Sequence, residues 1–149
     1  MQLSRRLFLQ GSVALGALMA LPRALLAAWP EKAFASSAAS GAMTELFGTD
    51  QVTPSSAITL SAPEIAENGA VVPITVETTL ENVQSVSIVV DKNPRPLAVS
   101  FEIPAGTLPD VACRIKMGQT SPVTAVVKTD SGLFSATKEV KVTIGGCGG

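Results

Sequence analysis

The chain has 149 residues, with 11 basic and 12 acidic side chains, two cysteines, no histidine and no tyrosine. Without histidine, neither a Ser-His-Asp nor a Cys-His centre can be assembled within the chain, and the commonest transition-metal ligand is missing. The sequence also lacks a C-x-x-C pair and both glycine-rich phosphate cradles, so zinc binding, thioredoxin-like exchange and nucleotide binding have no motif to rest on.

The N-terminus reads SRRLFL over residues 4–9, with Arg5 and Arg6 side by side. This resembles the twin-arginine export signal. The apolar run from Gly11 to Leu21, broken by Gly16 and followed by Pro22 and Arg23, is too short for a spanning helix of ~20 apolar residues. A charged start, an apolar middle and a small-residue end describe a secretory signal over residues 1–35. Ala33-Phe34-Ala35 is the cleanest small-x-small cleavage site and places the mature start near Ser36; a cut after Ala28 is the second choice. The expectation is a periplasmic protein, exported by the twin-arginine route, with no membrane segment in its mature form.

Residues 1–35 hold four of the basic residues and one of the acidic ones. The remaining 114 residues therefore carry seven against eleven, a net charge of −4. That balance argues against nucleic acid as a partner, and the length suits one domain with one core.

Ala39 to Phe47 is predicted as a short helix ended by Gly48, with Met43, Leu46 and Phe47 on one side. The stretch Thr53 to Ser61 reads as a loop leading into a first short strand. Beyond it the apolar period changes to two: Ala70, Val72, Ile74 and Val76; Val86, Ile88 and Val90; Leu97, Val99, Phe101 and Ile103; Val111, Cys113, Ile115 and Met117; Val123, Ala125 and Val127; Val140, Val142 and Ile144. Asn68-Gly69, the segment from Asp91 to Pro96, and the segment from Thr129 to Gly132 supply the turns. Short strands at roughly ten-residue spacing predict an all-β fold, an immunoglobulin-like antiparallel β-sandwich over residues 36–144. Val83, Val89 and Val126 fall at outward positions, where a partner subunit would cover them.

The chain closes on VKVTIGGCGG. Cys147 stands between Gly145-Gly146 and Gly148-Gly149, residues with no Cβ and the widest backbone freedom. Residues 145–149 read as a flexible C-terminal arm whose extended length, at ~3.3–3.6 Å per residue, is about 16–18 Å. Such an arm can carry a thiol into a deep cleft of another protein. A structural disulfide to Cys113 gains nothing from four flanking glycines, and Cys113 shares strand parity with core positions, as a small inert hydrophobe does. Prenylation needs three residues after the cysteine, and only two follow. The carboxylates show no catalytic pairing. The residues thus predict no catalytic group, no cofactor and no bound metal, but a thiol that serves as a covalent attachment point. Two other readings stay open: an exported interaction module using Cys147 for an intermolecular disulfide, and an enzyme subunit whose site a partner completes.

The twin-arginine signal, the small β-rich domain and the terminal Gly-Gly-Cys-Gly-Gly resemble the SoxY family, the sulfur-carrier subunits of periplasmic thiosulfate-oxidising systems. The stretches APEIAENGAVVPITVE, DKNPRPLA and RIKMGQTSPVTAVVKT are similar to that family as well. The resemblance implies that Cys147 holds thiosulfate-derived intermediates covalently while partner enzymes act on them. Those partners would be a c-type cytochrome complex, a dimanganese hydrolase and a molybdenum–haem enzyme, with SoxZ as the other half of a heterodimer. Cys113 has no counterpart in the matched motif.

Overall fold

The computed structural model describes residues 29–143. Two helices come first, α1 (Glu31–Ala35) and α2 (Ala39–Phe47), followed by nine strands: β1 (Thr53–Pro54), β2 (Ile58–Ser61), β3 (Ile65–Ala66), β4 (Val72–Thr78), β5 (Val83–Val90), β6 (Leu97–Glu102), β7 (Val111–Ile115), β8 (Ser121–Thr129) and β9 (Gly132–Val142). The expected helix has the bounds the sequence assigns it. Gly48 ends it with φ 81°, returning its N–H to the Thr44 carbonyl, a left-handed position that glycine takes without a Cβ clash.

The strands form the expected sandwich. A large sheet runs in the order β1-β9-β8-β5-β6, and a small sheet runs β2-β4-β7. All long pairings are antiparallel, while the two-residue strands β1 and β3 lie parallel to β9. Alternation does the packing. In β4 the side chains of Val72, Ile74 and Val76 are buried while Pro73 and Glu77 are exposed. They meet Val86, Ile88, Val90, Val123, Ala125, Val127 and Val140 from the large sheet in one core. Each such valine or isoleucine contributes roughly 1.5–3 kcal/mol on burial.

The other face of the large sheet is covered too, which corrects one expectation. Val89 and Val126 are 1% and 0% exposed, and Val83 is half-buried against the main core. Val89 and Val126 pack with Leu97 under Ala33, Ala42 and Met43 of the two helices, with Phe34, Leu46, Phe47 and Val52 at the margin. The chain's own helices α1 and α2 supply the cover expected from a partner. For the same reason β5 is buried continuously from Ser85 to Val90.

A second difference lies in β6. Ile88 pairs with Val99 and Val89 with Leu97, so Ala98 is an extra residue in a bulge. A bulge reverses side-chain parity. Val99 therefore joins the main core, while Leu97 joins the helix-covered one. The start of β4 shifts as well: Asn68 Oδ1 accepts the Ala70 N–H at 2.9 Å, which keeps Ala70 in the turn and exposed.

Candidate functional site

Cys147, the glycines expected to form an arm (Gly145, Gly146, Gly148 and Gly149) and the arginines of the expected export signal, Arg5 and Arg6, lie outside the described residues, as does Ile144. The structure shows what holds the strand that precedes Ile144. β9 pairs with β8 from Val140 to Gly132 along one edge, and Ile65 and Ala66 of β3 pair with Lys141 and Val142 on the other.

Each of the last three described residues is tied by its own N–H. Lys141 donates to the Glu64 carbonyl at 2.9 Å and Thr143 to the Ala66 carbonyl at 3.2 Å. Val142 donates to Thr120 Oγ1 at 3.0 Å. From behind, a Cβ on Gly69 would collide with the Met117 carbonyl oxygen and come within 2.9 Å of Val142 Cγ1. The absence of a side chain at residue 69 therefore lets Val142, at the end of β9, and Met117, just past β7, both close in on Gly69. The described sandwich runs to Thr143, and Cys147 lies four residues on in the sequence, at most about 13–14 Å of extended chain.

Cys113 sits opposite Ile74 in the β4–β7 pairing. Its parity is as expected, since it packs against the main core, but it is only half-buried. The reason is topological: β7 is the outer strand of the small sheet, so the side chain has cover on one side only. Partial burial raises its pKa by desolvation of the thiolate.

Beside Cys113 the open margin between β6 and β7 forms a groove of about 410 Å³, whose lining includes Ala98 and Val99 together with Arg95, Arg114 and Lys116. Asn93 closes one end, its Nδ2 donating to the Lys116 carbonyl at 2.7 Å and its Oδ1 accepting the Gly118 N–H at 3.1 Å. Sequence reasoning did not single out this groove. The alternation Cys113-Arg114-Ile115-Lys116 is visible in the sequence, but the approach of Arg95 depends on how the two sheets stack. Among the described residues no three His, Cys, Asp or Glu side chains converge as a metal site requires.

The family model described as sulfur oxidation protein SoxY matches residues 43–147, a span that ends on the arm cysteine. Among solved structures, the chain is similar to the sulfur carrier protein SoxY from Chlorobium limicola f thiosulfatophilum. The two share 40% identity over 69% of this chain and 94% of that one, with a TM-score of 0.63. A superoxide reductase (neelaredoxin) from Ignicoccus hospitalis aligns at 19% identity, 58% of this chain and 80% of that one, with a TM-score of 0.52, a likeness of fold alone. No curated protein matches the chain.

Proposed function

The chain belongs to the SoxY family of sulfur oxidation proteins, and from that membership we propose that it is a periplasmic sulfur carrier in thiosulfate oxidation, with Cys147 as the covalent attachment point. The observation that carries the reading is the family match running to Cys147. It is supported by the way β3, Thr120 and Gly69 fix the strand up to Thr143. A rigid base and a short glycine-rich extension suit delivery of one sulfur atom to several active sites.

The chemistry follows from the thiol. Oxidative coupling joins the Cys147 thiolate to the outer sulfur of thiosulfate, leaving Cys147–S–S–SO₃⁻ and passing two electrons to a c-type cytochrome. Hydrolysis of that adduct by a dimanganese enzyme adds water, releases hydrogen sulfate and leaves a persulfide, which a molybdenum–haem enzyme oxidises further. A cysteine titrates near ~8.5, so a few per cent is thiolate at neutral pH; the partners must supply the activation, and the chain acts as their substrate. SoxZ is the proposed heterodimer partner. Since Val89 and Val126 are covered within the chain, the contact falls elsewhere on the sandwich.

Intact-mass analysis of protein purified from the periplasm after growth on thiosulfate tests the proposal. Sulfur-bearing adducts that map to Cys147 support it. Disulfide-linked dimers with no adduct would favour an interaction module instead.

A further inference from the structure

We propose that the groove between β6 and β7 is a docking site for the chain's own 144–149 segment when Cys147 carries an anionic sulfur-oxyanion group. The inference rests on the carrier reading given above. Charge is the first argument. The groove's charged lining residues are Arg95, Arg114 and Lys116, with no carboxylate among the lining side chains. Guanidinium groups bind planar or tetrahedral oxyanions through paired N–H donors. A free thiol is mostly neutral near pH 7, whereas a –S–SO₃⁻ group adds a full negative charge at that position.

Placement is the second argument. The Met117 carbonyl and the Val142 side chain both crowd the same point at Gly69, so the base of the arm lies beside the end of β7. Lys116, a lining residue, lies between the end of β7 and Met117. Gly118, on the same rim, has open space where a side chain would be. Cys147 is four positions beyond Thr143, a reach of about 13–14 Å, enough to turn past Met117 and enter the groove at Asn93 and Lys116. The occupant is suited to it, because four of its six residues are glycine and their backbone can lie flat against Ala98 and Val99.

Docking of this kind separates loaded from empty carrier. The anionic adduct rests against the sandwich between encounters, away from solution thiols, while the empty arm stays available to the loading enzyme. The attraction acts between groups that face water, so it weakens as salt shortens the screening length from about 10 Å at 0.1 M to about 3 Å at 1 M.

The test uses the ¹⁵N-labelled mature protein bearing Cys113→Ser, with Cys147 in three forms. These are the free thiol, a neutral methyl disulfide, and the adduct from tetrathionate, which places –S–SO₃⁻ on the sulfur and releases thiosulfate. Resonances of Arg95, Arg114 and Lys116 are expected to shift in the anionic form alone. The shifts should be lost at 1 M salt and in a variant carrying Arg95→Gln, Arg114→Gln and Lys116→Gln. Equal shifts for neutral and anionic adducts, shifts confined to other surfaces, or shifts that survive the triple substitution would each overturn the proposal. Because the adduct is made chemically, a missing shift removes the docking site alone, and loss of the carrier reading shows separately in turnover.

Discussion

The Val142 N–H donates to Thr120 Oγ1 at 3.0 Å, a side-chain contact from the loop before β8 that pins the strand leading into the arm. Thr120→Val keeps the shape and removes the acceptor. The half-buried bond should cost about 0.5–1.5 kcal/mol in urea denaturation. Faster hydrogen exchange at Val142 than at Val140 should accompany it, since only the former loses its partner. Unchanged exchange at Val142 would mean that the β3 bridge alone fixes the base.

Processing is open to a direct check. Ala33 is 1% exposed beneath the sheet-covering helices, and Trp29 stacks on Phe34 with ring centroids 4.3 Å apart. A cut after Ala35 would strip Trp29, Ala33 and Phe34 from the mature chain and leave Val89 and Val126 covered by α2 and its neighbours alone, so the packing favours the cut after Ala28. Mature protein should begin at Trp29 and show clear tryptophan emission, Trp29 being the sole tryptophan. A non-fluorescent mature protein starting at Ser36 would contradict this. Changing Arg5 and Arg6 to lysine should hold the precursor in the cytoplasm, and normal periplasmic levels would remove the twin-arginine assignment.

Much of this fold was legible because β4, β8 and the inner face of β5 obey a strict two-residue alternation. That alternation by itself puts Val72, Ile74, Val76, Val123, Ala125 and Val127 on core-facing positions. Val89 and Val126 were misplaced because their cover is remote in sequence, and part of it, α1, reads as the tail of an export signal. Leu97 was put on the wrong face because one extra residue, Ala98, inverts parity without altering the apolar pattern. The half-exposure of Cys113 follows from β7 being an outer strand, which local periodicity cannot report. The terminal Gly-Gly-Cys-Gly-Gly is plain in the sequence, and it lies outside the described residues.

Cys113 should behave as a hindered thiol. Burial raises its pKa, so alkylation near neutral pH should be slower than for a free cysteine and should climb at higher pH than a model thiol does. The sign for stability follows. A thiol whose folded pKa lies above the unfolded value stabilises the fold fully below the unfolded pKa, near ~8.5. That contribution declines as pH rises through the folded pKa. Cys113→Ala should cost about 1 kcal/mol through lost packing and flatten the alkaline limb of the stability profile. An unchanged alkaline limb would show that the thiol is as solvated as in the unfolded chain.

The arm glycines are separable from the thiol. Gly146→Val with Gly148→Val should leave Cys147 titratable by a small reagent but slow its loading by partner enzymes, because bulky β-branched residues restrict the backbone and widen the segment. Normal loading kinetics in that variant would reduce the glycines to a spacer.

The central claim is that sulfur passes through Cys147, and thiosulfate-dependent electron transfer in a reconstituted system carrying Cys147→Ser tests it most directly. Serine keeps the size, but its alkoxide is too basic to replace a thiolate as nucleophile and leaving group. Turnover should fall to background while circular dichroism and thermal unfolding match the unsubstituted protein. Turnover that persists with Cys147→Ser would contradict the carrier reading outright.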